Sequence, residues 1–185
     1  IDDIVLDMFT VRSNRPRDIA WLFHSRDDHA ALPGQACDAP QLEGAEWGED
    51  WHEATHNGQW TASWEQKGLT LKLLQQSNSG KILSCRGMTT PQSARHYLRV
   101  NQIHADKALF ASVLTAAPND HEPMLQIVSS EMLDGGSCRM EVVVDGRHLA
   151  FFASPNGKIV NNLLKADAKA ALIEIGREGV VLIAE

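Results

Sequence analysis

Paired cysteines are missing from this chain. Its three cysteines, Cys37, Cys85 and Cys138, are odd in number and far apart, and no Cys-x-x-Cys spacing occurs. A zinc ribbon and a redox dithiol both need closely spaced thiols, so neither is indicated. Three unpaired thiols suit a reducing compartment somewhat better than an oxidising one, and we expect all three to be small buried hydrophobes.

Other common signals of function are absent as well. No apolar run approaches the roughly 20 residues that are needed to span a bilayer, so no membrane segment is predicted. The formal net charge of −7 gives no support to binding nucleic acid or anionic lipid, although a local basic pocket can still accept an anionic substrate. There is no phosphate-binding glycine loop and no Gly-x-Ser-x-Gly motif, and no cofactor is predicted.

The first residues carry no charged leader or cleavage site that would indicate a secretory signal. The chain opens with Ile-Asp-Asp-Ile-Val-Leu, without an initiator methionine and already in strand-like sequence. We therefore expect it to be an excerpt whose N-terminal portion is missing. Its compartment is left open between the bacterial cytoplasm and periplasm.

Short apolar runs separated by turn residues dominate the sequence. They predict roughly ten strands, and no long segment shows the periodicity of a helix. Asp145-Gly146 between two apolar runs is a strong hairpin signal, while residues 165–173 could instead form a short helix because Ala and Lys favour one. A chain of 185 residues can bury one core, so we predict a single domain over 1–185 with an antiparallel β-sandwich fold.

The first 25 residues predict two strands with a turn between them. Ile4–Val11 alternates as a strand does, residues 13–17 have turn chemistry, and Ile19–Phe23 is a second apolar run. If these strands form a hairpin, three polar side chains become neighbours and could form a metal or polar cluster: Asp7, Asp18 and His24. We favour structural hydrogen bonding between the strands, because buried polar groups are normally satisfied in this way.

The segment His52-Glu53-Ala54-Thr55-His56 matches the His-Glu-x-x-His signature of zinc proteases. In those enzymes the two histidines share one face of a helix and bind zinc, while the glutamate activates water. Here Gly48 lies just before the motif and Asn57-Gly58 just after it, which leaves about two turns with no apolar stripe to bury. We therefore expect a short loop or turn at the motif and no metal site. The residues ahead of the motif, 26–50, are predicted to form a long loop.

Aromatic residues supply one class of candidate ligand contact. Four tryptophans fall within eighteen positions: Trp47, Trp51, Trp60 and Trp64. Trp60 and Trp64 share one face of a predicted strand, which favours packing in a core. Trp51 lies in the predicted loop and is the better candidate for stacking on a sugar ring.

Basic residues supply a second class. They concentrate in one region of the sequence, at Arg86, Arg95, His96, Arg99 and His104. Guanidinium groups bind carboxylates with paired hydrogen bonds, so this region could meet a uronic acid, although solvated strand faces would explain it equally well. We predict Trp51, His24 and Arg99 as the substrate-binding residues.

Residues 5–25 carry a specific resemblance. The runs Val-Leu-Asp-Met-Phe-Thr-Val-Arg-Ser and Arg-Asp-Ile-Ala-Trp-Leu-Phe-His-Ser resemble the heparinase II/III-like C-terminal domain of polysaccharide lyases. That family shows an Asp-aliphatic-Phe strand, a short turn, and an aromatic strand that ends in His. Residues 108–118 and 167–175 are similar to later strands of the family, so the resemblance extends over most of the chain.

The resemblance implies β-elimination at a uronic acid of an anionic polysaccharide or oligosaccharide, with alginate ahead of heparin-like glycans. In such lyases an α/α-toroid domain carries the main Tyr and His machinery, and the β-domain walls the cleft. The family's histidine in the β-domain matches no position here, so we expect no catalytic residue in this chain and no activity from it alone. A stand-alone carbohydrate-binding module is the alternative, and a zinc protease is a third hypothesis.

Overall fold

The computed structural model describes residues 4–25, 29–38, 40, 48–90, 93–160, 163–176 and 179–184. Within these ranges the chain forms antiparallel strands, one 3-10 turn at Asp134–Gly136, and no α-helix, so no helix that could span a membrane is present there. The prediction of an all-β fold is confirmed. The alternative of a helix at residues 165–173 is wrong, because two short strands occupy that segment.

The described residues contain fifteen strands rather than the expected ten or so, because several of them are very short. In chain order they are β1 (Ile4–Ser25), β2 (His29–Ala31), β3 (Gln35–Ala36), β4 (Gly48–His56), β5 (Gln59–Gln66), β6 (Leu69–Gln76), β7 (Gly80–Thr90), β8 (Ser93–Pro118), β9 (Leu125–Met132), β10 (Cys138–Val144), β11 (Arg147–Ala153), β12 (Ile159–Val160), β13 (Lys165–Ala166), β14 (Ala170–Gly176) and β15 (Gly179–Ala184). Strand β8 unites two apolar runs, 97–103 and 108–115, in one continuous strand.

The long strand β8 organises the larger sheet. One of its edges pairs with β1 over nearly the whole length. Its other edge pairs with β7 along residues 93–101 and with β6 along residues 111–118. The order across the sheet is β2-β5-β6-β8-β7-β4-β3, with β1 added along β8.

The two halves of this sheet fold toward each other. Phe23 is in one row of paired residues with Leu98 of β8. Trp64 pairs with Leu71, and Leu71 pairs with Ala116 of β8, so Trp64 is in the row of Ala116. Eighteen residues of straight strand would separate these rows by roughly 60 Å. The rings of Phe23 and Trp64 are nevertheless 5.1 Å apart, so the sheet curls strongly around the first core cluster.

Trp60 and Trp64 lie in this first core, where they are 7% and 1% exposed, which confirms the prediction that they pack inside. Cys85 and Cys138 are also buried as expected, but Cys37 is exposed, so the prediction for that thiol is wrong.

A second sheet, in the order β15-β14-β11-β10-β9, covers part of the opposite face of the large sheet. The contact is a second core cluster, in which Leu74 and Val113 of the large sheet meet Ile127, Met140 and Leu149. The other half of that face, formed by the end of β1 and the start of β8, is left outside this contact. We call the side of the large sheet that faces the second sheet the outer face.

The expected hairpin within residues 4–25 is wrong, because both predicted strands belong to one continuous strand, β1. The residues between Arg12 and Arg17 form an irregular insertion in the pairing with β8. Proline has no N–H to donate to a ladder, and a bulge accommodates it without reversing the chain. The polar cluster that a hairpin would have formed is therefore not assembled, since Asp7 lies opposite Ser112 and His24 lies opposite Tyr97. Asp18 instead accepts a hydrogen bond from the backbone N–H of His104 on β8, which agrees with the favoured interpretation of structural hydrogen bonding between strands.

The long loop expected at residues 26–50 is also partly wrong. Strands β2, β3 and the start of β4 occupy the described part of it. Residues 26–28, 39 and 41–47, including Trp47, lie outside the described residues.

Candidate functional site

The register of three strands places two of the predicted substrate-binding residues on one side of the sheet. His24 pairs with Tyr97, and Tyr97 pairs with Cys85 of β7. Arg99 is two residues along β8 from Tyr97, and side chains two apart on a strand share a face. The intervening Leu98 lies in the first core, so His24 and Arg99 both lie on the outer face.

Trp51, the third predicted residue, lies on the same side. It packs with Leu83 and Cys85 of β7 and against Tyr97. The prediction that it sits in a loop is wrong, because it belongs to β4. Its indole N–H donates a hydrogen bond to the carbonyl of Gly48 at 3.0 Å, and the residue is only 9% exposed. Trp51 therefore supports the sheet beneath Tyr97 and offers little of its own surface to a ligand.

Five residues of this face, two of them exposed and three half-buried, form what we call the outer patch: Leu22, His24, Arg95, Tyr97 and Arg99. Leu22 is 69% exposed and lies opposite Arg99. The rings of His24 and Tyr97 are in tilted contact, with centroids 5.9 Å apart. The outer patch thus combines an aromatic and apolar surface with two guanidinium groups, which alternate with Tyr97 along β8.

Neither guanidinium group of the outer patch lies within ion-pair distance of a carboxylate in the described part of the chain. The Nε of Arg99 donates to the side-chain oxygen of Asn101 at 2.8 Å, which fixes the orientation of the group. The Nε of Arg95 is buried without a hydrogen-bond partner among the described residues. The neighbouring charges on this face neutralise each other, since Lys81 lies 2.9 Å from Glu53. Within the outer patch, Arg95 and Arg99 are therefore the positive charges that a ligand can meet.

The other predicted basic residues lie elsewhere. Arg86 of β7 pairs with His96 of β8. His96 is adjacent to Tyr97, and adjacent side chains of a strand point to opposite faces, so Arg86 and His96 lie on the face opposite Tyr97. They line a cavity of about 800 Å³ together with His52, and Trp51 and Cys85 line the same cavity from the other side of the sheet. The carboxylates of Asp38 and Asp50 line the same cavity, so it carries charges of both signs. His104, the last of the group, lies at the irregular midpoint of β8.

The His-Glu-x-x-His motif does not have the geometry of a zinc protease. It lies in β4, so it forms neither a helix nor the expected loop or turn. Four residues of strand separate the Cα atoms of His52 and His56 by about 13 Å, whereas a shared zinc ion needs Zn–N distances of about 2.0–2.1 Å. His56 is buried, with Nδ1 lying 3.3 Å from the carbonyl oxygen of Gly58 and Nε2 lying 3.5 Å from the hydroxyl oxygen of Ser77. Burial lowers the pKa of His56. The described residues include no group of three His, Cys, Asp or Glu side chains that could hold a metal ion.

Tyr97 and Leu22 are parts of the outer patch that the sequence analysis missed. The alternation of Arg95, Tyr97 and Arg99 with His96 and Leu98 was the signal that could have identified Tyr97. Leu22 carries no comparable signal, because its exposure depends on which face of the sheet the second sheet covers.

Comparison with known proteins does not add to this description: no protein-family model matches the sequence, and no curated protein matches it significantly. The functional interpretation therefore rests on the chemistry of the outer patch and on the resemblance carried by residues 5–25.

Proposed function

We propose that this chain binds an acidic polysaccharide or oligosaccharide through the outer patch, as the C-terminal β-domain that walls the substrate cleft of a uronate lyase. The observation that supports this proposal best is the placement of Arg95 and Arg99 on either side of Tyr97, with His24 and Leu22 alongside. A uronate presents a carboxylate and an apolar ring face. Guanidinium groups bind the first with charge-assisted hydrogen bonds, and aromatic rings pack against the second.

The spacing of the patch favours an oligosaccharide over a single sugar. The Cα atoms of Arg95 and Arg99 are separated by about 13 Å along the strand. Two carboxylates on one glycan chain can engage both arginines, while Tyr97 packs against the ring between them. A neutral glycan would meet the same aromatic surface but would leave both guanidinium groups without a partner.

The lyase part of the proposal rests on the resemblance. In β-elimination a base removes the C5 proton of the uronate and an acid protonates the leaving oxygen, which gives an unsaturated product. We place those two groups in the toroid domain of the same polypeptide, and the outer patch holds the substrate beside them. A stand-alone carbohydrate-binding module would use the same patch, but its gene would encode no toroid of several hundred residues ahead of this domain.

Binding is tested by calorimetry of this chain with defined oligoalginates, oligohyaluronates and an uncharged oligosaccharide of similar length. We expect binding of the uronates alone. Arg99→Ala should weaken it by about tenfold or more, because a hydrogen bond to a charged group contributes about 1.5–3 kcal/mol. Lys165→Ala is the matched control, since it removes one exposed positive charge from β13, which forms a separate two-stranded sheet with β12. Equal loss in both variants, or equal binding of the neutral glycan, would contradict the proposal.

The reaction is tested on the full-length protein by ultraviolet absorbance of unsaturated product from alginate, hyaluronate and heparan sulfate. Product from one of them supports the lyase. Uronate binding without product from any polymer would leave the carbohydrate-binding module as the better description.

A further inference from the structure

A second group of cations lies at the irregular midpoint of β1 and β8, away from the outer patch. Arg12 pairs directly with Lys107, and the pairing resumes at Arg17 opposite Ala105. Four residues of β1, 13–16, therefore face a single residue of β8, and they form the segment that we call the β1 bulge. We call Arg12, Arg15 and Lys107 the bulge cations, and all three are exposed.

Hydrogen bonds hold the backbone of the β1 bulge and the side chain of Arg12 in place. The hydroxyl oxygen of Ser13 accepts hydrogen bonds from the backbone N–H of Arg15 at 3.4 Å and from Nε of Arg17 at 3.2 Å. Arg12 donates to the carbonyl of Leu133, the residue between β9 and the 3-10 turn, at 2.8 Å. Pro16 restricts the backbone between Arg15 and Arg17. The group is thus partly ordered before any ligand arrives, which reduces the entropy lost on binding.

The bulge cations carry an excess of positive charge. None of them forms an ion pair with a carboxylate of the described residues. The acidic neighbours along the two strands are Asp18 and Asp106, and the carboxylate of Asp18 already accepts a hydrogen bond from the backbone N–H of His104 at 3.0 Å. On a chain whose net charge is −7, such a local positive region attracts an anion against the overall field.

Arg12 and Lys107 lie on the same side of the sheet as the outer patch. Val11, next to Arg12, packs against the first core cluster, as Trp21 and Leu98 do at the other end of the strands. The residues that alternate with these core residues therefore share the outer face. Eight residues of β8 separate Arg99 from Lys107, a distance of about 26 Å if the strand is extended.

We infer that the bulge cations form a second anion-binding surface for the same acidic polysaccharide, so that the domain holds an extended polymer along β1 and β8. This inference rests on the proposed function of the outer patch. A short uronate oligosaccharide occupies the outer patch alone, whereas a longer chain continues past Asn101 along β8 to the bulge cations. The preferred substrate is accordingly a polymer rather than its short degradation products.

The observations favour a polysaccharide over a nucleic acid as the polyanion. The cations form two separated groups with the aromatic pair of His24 and Tyr97 at one end, and the overall charge is negative. Sequence-independent binding of nucleic acid depends chiefly on a dense and continuous basic surface.

The test measures affinity as a function of chain length, with oligoalginates of four and twelve uronate units at fixed salt. The variants are Arg99→Ala and the triple variant Arg12→Gln, Arg15→Gln, Lys107→Gln. We expect the triple variant to bind the short oligomer as the unchanged protein does and to lose about tenfold or more in affinity for the long one. It should also show a weaker salt dependence for the long oligomer, because fewer charges are neutralised.

Arg15→Ala is a second variant in case the triple variant folds poorly, because Arg15 bonds to the described residues through its backbone N–H and not through its side chain. It should give a smaller loss that is also confined to the long oligomer. Equal affinity for long oligomer in the triple variant and the unchanged protein would overturn the inference while the proposed function stands. If neither oligomer binds the unchanged protein, both the inference and the proposed function are overturned. A duplex DNA of matched length that binds as tightly as the long oligomer, and competes with it, would overturn the assignment to a polysaccharide.

Discussion

Gly80 begins β7 at a point where this strand lies very close to β8, and its replacement by alanine tests that approach. A Cβ atom at residue 80 would lie 2.4 Å from the backbone oxygen of Asn101 and 3.6 Å from Nε2 of His56. The oxygen of Asn101 belongs to β8, which pairs with β1 on one side and β7 on the other. It cannot move away from a methyl group without disturbing both ladders.

The sign of the effect depends on two opposing contributions. Gly→Ala at a compatible position stabilises a protein by about 0.4–1 kcal/mol, because it restricts the unfolded chain. Forcing an additional carbon into a packed region costs about 1–3 kcal/mol. With a contact as short as this one, we expect Gly80→Ala to lower the free energy of unfolding by about 1–2 kcal/mol, and the melting temperature by about 2–8 °C.

Urea denaturation followed by far-ultraviolet circular dichroism measures this change. Gly176→Ala is the matched control, because the nearest atom to its added Cβ is the backbone oxygen of Gly179 at 3.6 Å, an ordinary contact. That variant should be as stable as the unchanged protein or slightly more stable. If Gly80→Ala proved as stable as Gly176→Ala, the close approach of β7 to β8 at Asn101 would be refuted.

Two further predictions concern thiols and pH. In the folded protein only Cys37 should react with a thiol reagent, because it alone of the three thiols is exposed. Desolvation and then the charge of Glu53 raise its pKa, so the reaction should become faster as the pH rises. Burial raises the pKa of Cys138, and that of Cys85 to about 11, so both should react only after unfolding, and reaction of all three at one rate would contradict this. Burial lowers the pKa of His56 below its ordinary 6.5, so the unfolded chain takes up the proton first and the free energy of unfolding should fall as the pH drops below about 6.5. Urea denaturation over this pH range should show a shallower fall in the free energy of unfolding for His56→Gln than for the unchanged protein. An identical fall in both proteins would contradict the assignment of this pH dependence to His56.

The sequence was informative wherever local pattern decides the structure. Asp145-Gly146 predicted a tight hairpin, and both residues have positive φ angles, 48° and 81°, between strands β10 and β11. This is the backbone that two-residue hairpin turns favour. The alternation of Trp60 and Trp64 likewise predicted their place in the core. In each case neighbouring residues carry the whole signal.

Long-range pairing could not be predicted in the same way. The turn chemistry of residues 13–17 is compatible with a chain reversal and with a bulge, and only the pairing of β1 along β8 decides between them. His24 and Arg99 were identified as single residues, but their common face follows from a register between segments that are more than seventy residues apart. The bulge cations escaped notice for the same reason, because a turn between two hairpin strands gave no reason to place Arg12 beside Lys107.

The pairing of β1 with β8 also has a consequence during protein synthesis. Ile4 pairs with Thr115 and Ser25 with His96, so β1 leaves the ribosome long before its partner exists. At about 5–20 residues per second, β1 waits on the order of 5–20 s for β8 to be completed. An unpaired apolar strand in that interval can pair with other chains, and charges and proline are the residues that interrupt such pairing. Arg15, Pro16 and Arg17 place two charges and a proline in the middle of β1, where they disfavour such pairing while β8 is still being made.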